Sequence, residues 1–206
     1  MANMQLPVLV NTQRVKEPRL DLYYPVVHGL KNIAVQRRIN YAIQNLVKKM
    51  LSDQGYYSNP RTQVTASYEV KTNERGVLSL SLNNYAFAGG AHGMTIIKSL
   101  TFDVCTGRIY SLADLFKPGS DYQKVLSAII EKQIKEREIP VINEFTGIKP
   151  DQDYYIADKV LVVYFQLYEL TPYAYGFPEF PITMYQVEDI VDENGPLGRM
   201  IPAIGI

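Results

Sequence analysis

The sequence predicts an α+β protein made of two successive units, each an antiparallel sheet packed against one long amphipathic helix. Strands with alternating apolar and polar residues accompany two stretches of helical spacing, and the regular strand–helix alternation of a parallel sheet is missing. The chain has 206 residues, 47% of them hydrophobic, which suffices for a substantial core. We expect units at residues 5–97 and 98–192, followed by a tail at 193–206.

The first unit is expected to begin with two strands and a helix. Residues 7–15 and 19–27 are rich in strand-forming residues and are separated by a turn-prone Lys-Glu-Pro. Asn32 is a candidate N-cap for the helix that follows. The apolar residues of this helix recur at helical spacing, so one face needs a sheet to cover it. They are Val35, Ile39, Ala42, Ile43, Leu46, Val47 and Met50.

Three more strands are expected to form an antiparallel meander. Each alternates apolar with polar residues, the pattern of a strand that is solvated on one face. Thr106 and Gly107 favour a tight turn after the last of them. The apolar positions are Val64, Ala66, Tyr68 and Val70, then Leu78, Leu80 and Leu82, then Leu100, Phe102 and Val104.

The second helix is expected to start at Ser120. Ser120 and Gln123 have the spacing of a capping box, and Pro140 bounds the helix at its other end. Residues 154–165 then carry strand-forming apolar residues, and residues 177–191 supply another strand and a short terminal helix. The expected buried stripe of the second helix is Val125, Leu126, Ile129, Ile130 and Ile134.

Charge and cysteine content narrow the possible functions. Lys plus Arg equals Asp plus Glu at 21 each, so no overall field attracts nucleic acid or an anionic membrane. Cys105 is the single cysteine, so no intramolecular disulfide can form. The start lacks a basic region followed by a long apolar stretch, and no later segment approaches the ~20 apolar residues of a membrane span. We expect a cytosolic protein, or one from which an export signal or anchor has been removed.

His92 lies in the segment YAFAGGAHGM, residues 85–94, and is the first candidate for chemistry. A metal site needs three or four His, Cys or acidic ligands, and the other histidine is distant in sequence. We therefore expect no metal and no cofactor, and we predict that His92 is a hydrogen-bonded turn residue beside Gly89 and Gly90. A hydrolase-type enzyme whose site assembles from scattered residues around His92 is the alternative.

Tyrosine usage points to a binding surface. The chain has 16 tyrosines and no tryptophan, and tyrosine is enriched in interfaces because it combines a large rigid ring with a polar end. Half or more of the tyrosines are expected to be core residues bonded through their hydroxyls. The candidate binding residues, all in the C-terminal half, are Tyr164, Tyr168, Glu169, Tyr173, Tyr175 and Glu179.

Segments along nearly the whole chain resemble the tandem domains of unknown function in the extracellular region of the RsiV-like, anti-sigma-V family. The most specific marks are the Gly89-Gly90-Ala91-His92 turn, the stretch from Phe102-Asp103 to Thr106-Gly107, residues Leu112 to Phe116, and the block from Tyr164-Phe165 to Gly176. The resembling segments are YPVVHGLKNIAVQRRIN, LSLSLNNYAFAGGAHG, LTFDVCTGRIYSLADLF and VLVVYFQLYELTPYAYGFPEFPI.

This resemblance implies a non-enzymatic sensor or binding module. In the anti-sigma-V factor the region recognises lysozyme, and related modules accompany peptidoglycan deacetylase domains. The implied partner is a basic secreted protein such as lysozyme, or a cell-wall fragment, with no nucleic acid and no membrane insertion by this chain. The family is mostly extracytoplasmic.

Overall fold

The structure is a computed structural model that describes residues 7–200. The chain divides into two compact units, Met1–Ile109 and Tyr110–Ile206. Within residues 7–200, each unit contains one sheet and one α-helix, which confirms the α+β class. The limits given above, 5–97, 98–192 and 193–206, stay a prediction, and residues 5 and 206 lie outside the described part of the chain.

The first unit contains a five-stranded sheet in the order β1-β2-β3-β4-β5 and one helix. The strands are β1 Leu9–Glu17, β2 Leu20–His28, β3 Gln63–Glu74, β4 Val77–Phe87 and β5 Met94–Asp103, and the helix is α1, Ile33–Asp53. Strands β3, β4 and β5 form the expected antiparallel meander. Strands β2 and β3 are parallel, which corrects the expectation of a purely antiparallel sheet. The 21-residue helix α1 joins these two strands as the long crossover that a parallel pair requires.

Helix α1 has the predicted cap and the predicted apolar face. The Asn32 side-chain oxygen accepts hydrogen bonds from the backbone N–H of Ala34 at 3.1 Å and of Val35 at 3.3 Å. Ala42 and Leu46 pack at the edge of the core. The buried helix residues are Val35, Ile39, Ile43, Val47, Met50 and Leu51. They join Leu78, Leu80 and Leu82 of β4 in one hydrophobic cluster.

The alternation predicted for β3 holds for Val64 and Ala66 and then ends at a β-bulge. The register shifts between Val70 and Thr72. Val70 lies opposite Leu80 and is 42% exposed, so its predicted burial was wrong. Thr72 lies opposite Ser79 and is buried, because a one-residue shift exchanges the two faces of a strand.

The second unit has a smaller, wholly antiparallel sheet in the order β6-β7-β8. Its elements are α2 Tyr122–Glu136, β6 Tyr154–Ala157, β7 Val160–Tyr164 and β8 Glu179–Thr183. Short 3₁₀ turns span Leu112–Leu115, Tyr173–Tyr175, Met184–Gln186 and Gly198–Met200. The stretch predicted as one run of strand residues is a hairpin that turns at Asp158 and Lys159, with Asp158 at φ +51°. In the part of the chain that is described, no helix has the length and apolar character needed to cross a membrane.

The N-cap of α2 lies one residue later than the predicted cap, Ser120. The Ser120 N–H bonds the Lys117 carbonyl in a preceding turn, and Gly119 has φ +80°. The helix consequently begins at Tyr122 with Asp121 as its N-cap, and the Asp121 carboxylate accepts from the Lys124 N–H at 3.4 Å. The predicted Ser120–Gln123 capping box is wrong, because the turn shifts the cap and makes Lys124 the third helical residue.

The buried face of α2 is narrower than the predicted stripe. Leu126 and Ile130 are completely buried. Val125, Ile129 and Ile134 are half-buried. At its C-terminal end α2 is fastened to β8 by side chains, since Gln133 Nε2 donates to the Pro181 carbonyl and Arg137 donates to the Glu179 carbonyl, both at 2.8 Å.

Candidate functional sites

The predicted binding residues lie on β7, on β8 and in the loop of residues 165–178 that joins them. Tyr164 is only 1% exposed, and its carbonyl accepts a 2.9 Å hydrogen bond from Gln152 Nε2. It is therefore a core residue. Tyr168 and Tyr175 are 48% and 40% exposed, and Tyr173 is half-buried.

The exposed tyrosines are held by a tightly turned loop. The ring centroids of Tyr168 and Tyr173 are 5.6 Å apart with the ring planes tilted by 34°. Tyr168 adopts φ +64°, a left-handed conformation that is uncommon for a bulky residue. The Tyr175 N–H donates to the Pro172 carbonyl at 3.0 Å, which closes the short turn carrying Tyr173 and Tyr175.

Glu169 fixes this loop with both carboxylate oxygens. Oε1 accepts from Lys149 Nζ at 2.8 Å, and Oε2 accepts from the Gln166 N–H at 2.9 Å. The hydrogen bond from Lys149 to Glu169 raises the pKa of Lys149 above its ordinary value. Gln166 in turn donates through Nε2 to Asp153 at 2.8 Å. Glu169 thus orients the loop, whereas Glu179 on β8 is exposed.

A neighbouring loop adds apolar surface next to these tyrosines. The Ile142 N–H donates to the Leu170 carbonyl at 3.0 Å, which brings residues 141–142 against the tyrosine loop. Val141 is 38% and Ile142 is 41% exposed. We call the surface formed by Tyr168, Tyr173, Tyr175, Val141 and Ile142 the tyrosine patch.

The charges of the chain are divided unequally between the two units. Residues 110–206 contain 15 acidic and 8 basic side chains, a formal net charge of −7. Residues 1–109 contain 13 basic and 6 acidic side chains, a net charge of +7. The net charge of the whole chain is zero because the opposite charges of the two units cancel, so the difference appears only when charge is counted for each unit. The tyrosine patch therefore lies on an acidic unit.

The turn that contains Gly89, Gly90 and His92 lies between β4 and β5 of the first unit. Gly89 and Gly90 have φ +97° and +107°, which side-chain-bearing residues rarely adopt. His92 is exposed, and its Nδ1 lies 2.9 Å from the Gly93 carbonyl oxygen. A Cβ on Gly93 would come within 2.4 Å of the Tyr85 ring, so the chain passes that ring at close range.

His92 also lines a groove of about 570 Å³. The C-terminal end of α1, the loop of residues 54–62 and the β4–β5 connection form its walls. Its carboxylate, Asp53, is bonded to Lys49 Nζ at 2.7 Å. Within residues 7–200, no group of three or more His, Cys, Asp or Glu side chains could hold a metal ion.

Two other marks of the family resemblance are structured turns. Asp103 Oδ1 accepts from the N–H groups of Cys105 and Thr106, both at 2.9 Å, so Cys105 lies exposed in a turn. At the start of the second unit, Asp114 accepts from the Ser111 N–H at 2.8 Å. The buried residues of that turn are Leu112, Leu115 and Phe116.

Comparison with known families gives two matches, one in each unit. Residues 12–95 match the family model described as deacetylase PdaC. Residues 113–185 match the model of DUF3298, described as a protein of unknown function.

Two curated relatives from Bacillus subtilis (strain 168) are similar to the chain. Anti-sigma-V factor RsiV is 27% identical over 179 residues, which cover 79% of this chain and 62% of RsiV. Peptidoglycan-N-acetylmuramic acid deacetylase PdaC is 23% identical over 200 residues, which cover 93% of this chain and 42% of PdaC. The chain thus spans less than two thirds of either relative. The predicted resemblance to RsiV-like domains is confirmed.

Two solved structures have the same fold. A DUF3298 family protein from Pseudomonas aeruginosa PAO1 matches with a TM-score of 0.67 and 15% identity, over 97% of both chains. A DUF3298 family member from Bacteroides fragilis NCTC 9343 matches with a TM-score of 0.66 and 13% identity, over 96% of this chain and 97% of that chain. At these identities the likeness concerns the fold.

Proposed function

We propose that this chain is a bacterial binding module whose second unit binds a basic secreted protein through the tyrosine patch. Lysozyme is the first candidate for that partner. The observation that supports the proposal most strongly is the exposure of Tyr168 and Tyr175 on a unit with a net charge of −7. The similarity to RsiV, an anti-sigma factor, points to the same class of function.

The chemistry of the patch suits a protein partner. Rings that are held in place lose little freedom on binding, and the Tyr168–Tyr173 contact and the Glu169 hydrogen bonds hold them. Aromatic anchors supply most of the affinity at such interfaces, while complementary charge mainly raises the association rate. An acidic unit around an aromatic patch accordingly favours a basic partner.

Calorimetric titration with lysozyme tests the proposal. We expect binding at low salt and weaker binding at about 0.15 M salt, because exposed charges are screened. Tyr168→Ala should weaken binding about tenfold or more, the effect of losing an interface anchor. Tyr41→Ala is the matched control, since Tyr41 is 67% exposed on α1 of the first unit and its loss should leave lysozyme binding unchanged.

A hydrolase-type enzyme around His92 is the second candidate. It is favoured by the position of His92 in a groove and by the similarity of the chain to a protein named as a deacetylase. This candidate predicts acetate release from N-acetylated peptidoglycan fragments. It also predicts that this release is lost in His92→Ala. Wild-type protein that releases no acetate, or equal release by the wild type and His92→Ala, would contradict it.

A further inference from the structure

We propose that the groove beside His92 is a binding site for a neutral saccharide segment. The groove belongs to the first unit and shares no residue with the tyrosine patch, so this proposal goes beyond protein binding by the second unit. Its volume of about 570 Å³ falls in the range of small-molecule sites.

One wall of the groove is fixed by Gln54 at the end of α1. Gln54 Nε2 donates to the Asn84 carbonyl at 3.0 Å and to the Met94 carbonyl at 2.9 Å. These two bonds connect the end of the helix to β4 and to the start of β5. The side-chain oxygen of the same amide, Oε1, is buried and has no hydrogen-bond partner.

A second part of the wall, the loop of residues 55–62, is fixed by Arg19. One guanidinium nitrogen of Arg19 lies within hydrogen-bond distance of the carbonyls of Tyr56, Asn59 and Thr62, at 3.4, 3.3 and 2.8 Å. The guanidinium also lies 4.8 Å from the centre of the Tyr56 ring. The Tyr56 hydroxyl donates to Glu17 at 2.8 Å. The groove is therefore formed before any ligand arrives, which lowers the entropy cost of binding.

Thr62 provides an unpartnered hydroxyl at this groove. Thr62 is 1% exposed, and its Oγ1 has no hydrogen-bond partner. Gly55 has no side chain, and a Cβ placed on it would lie 3.8 Å from Thr62 Oγ1 and 3.6 Å from Ser58 Oγ. Both hydroxyls are therefore close to Gly55. Buried polar groups are nearly always hydrogen-bonded, and Thr62 Oγ1 and Gln54 Oε1 are exceptions in one groove.

The types of side chain that line the groove indicate which class of ligand it would bind. None of the residues that line the groove is Lys or Arg, and the nearby Lys49 ammonium is paired with the lining Asp53 carboxylate at 2.7 Å, so the groove presents little free positive charge for a phosphate or nucleic acid. Amide and hydroxyl side chains offer donors and acceptors together, which match sugar hydroxyls and N-acetyl groups. Ala86, Met94 and Ile96 add apolar surface for the C–H face of a sugar ring.

Titration of backbone-labelled protein with triacetylchitotriose tests the site by NMR. We expect shifts confined to residues 53–62 and 84–96. Two further probes are titrated in the same way. Cellotriose has the sugar hydroxyls without the N-acetyl groups, and tetra-alanine is a peptide without any sugar. Binding of either sugar supports the proposal, and binding of both assigns recognition to the hydroxyls. Binding of the peptide alone, shifts elsewhere, or no shift with any probe would overturn it.

Two isosteric variants decide whether the unpartnered hydroxyl is used. Thr62→Val should weaken sugar binding about 3- to 10-fold, the effect of one lost hydrogen bond, while thermal stability stays the same or rises. Thr171→Val is the matched control, because Thr171 is also completely buried with an unpartnered Oγ1, but in the second unit. Equal sugar affinity for the Thr62→Val protein and the wild type would contradict the site. Because lysozyme is not a probe here, failure of this test leaves the tyrosine-patch proposal intact.

Discussion

Helix α1 has 21 residues and buries six apolar side chains in a unit with a five-stranded sheet, whereas α2 has 15 residues and completely buries only Leu126 and Ile130. The strands of the second unit are also short, at four or five residues each. The first unit is thus organised by periodic apolar faces. The second unit devotes more of its chain to loops, and its candidate binding surface lies on those loops.

Side-chain hydrogen bonds to backbone groups compensate for the short elements of the second unit. Gln152 donates to the Tyr164 carbonyl, and the Tyr154 hydroxyl donates to the Tyr110 carbonyl at 2.7 Å. Gln133 and Arg137 tie α2 to β8 in the same manner. Such bonds hold irregular segments in place, so loops can present rigid aromatic rings. The first unit has bonds of this kind too, as at Arg19 and Gln54, so the two units differ in how much apolar helix surface they bury beside such bonds.

Removing a core side chain should have the largest effect in both units. Ile43→Ala and Leu126→Ala should each lower the free energy of unfolding by about 2–5 kcal/mol, because both residues are 0% exposed and a cavity would remain. Lys48→Ala and Lys124→Ala on the exposed faces should change it by less than about 0.5 kcal/mol. Urea denaturation measures all four. Similar small losses for Leu126→Ala and Lys124→Ala would show that the buried face of α2 is misassigned.

Loss of a buried side-chain hydrogen bond should cause the second-largest decrease in the free energy of unfolding. Gln152 is 5% exposed, and Gln152→Leu would leave the buried Tyr164 carbonyl without this donor, at a cost of about 1–3 kcal/mol. Gln44→Leu, the same change at an exposed position of α1, should cost less than about 0.5 kcal/mol. If the two substitutions proved equally mild in urea, the second unit would not depend on such bonds.

The N-cap of α1 should show an intermediate effect. Asn32→Ala removes an acceptor for two backbone N–H groups and should cost about 1 kcal/mol. Asp121→Ala at α2 should cost less, since that carboxylate accepts one longer bond of 3.4 Å. Thermal unfolding of the two variants gives the comparison, and the reverse order would contradict these cap assignments.

His92→Ala should have a small effect. We expect a loss of about 0.5 kcal/mol, the low end of the net worth of one hydrogen bond, because Nδ1 lies 2.9 Å from the Gly93 carbonyl and the residue is exposed. Differential scanning calorimetry measures the change. An unchanged unfolding temperature combined with a loss of acetate release would instead favour a functional role for this histidine.

The smallest effect is expected at the former candidate cap, Ser120. Its hydroxyl is buried without a hydrogen-bond partner, so Ser120→Ala removes no bond and should leave stability the same or slightly higher. A loss of 1 kcal/mol or more in urea denaturation would restore Ser120 as a capping residue.

Local sequence patterns were sufficient for α1 and for the β3–β5 meander. The Asn32 cap and the apolar stripe of α1 are patterns among residues that are close in the sequence, which is why both were predictable. The parallel β2–β3 pair was not, because strand direction depends on where a long crossover returns the chain. The hairpin at Asp158-Lys159 lacks the glycine that usually marks such turns.

The candidate sites were predicted only in part. Tyr168 and Tyr175 are exposed, while Tyr164 is buried, and residue type alone does not separate them. The groove brings residues 53–62 together with residues 86–96, and only the folded sheet makes them neighbours. The acidic character of the second unit was present in the sequence, but it requires the boundary between the units to be known.

Calorimetric titration of lysozyme into the wild type, Tyr168→Ala and Thr62→Val tests the central claim most directly. The claim is that the tyrosine patch of the acidic unit binds a basic protein, while the groove of the first unit has no part in that binding. We predict heat of binding for the wild type and an unchanged affinity for Thr62→Val. We predict about tenfold or weaker affinity for Tyr168→Ala. No heat with the wild type at either salt concentration, or equal affinities for the wild type and Tyr168→Ala, would contradict the claim.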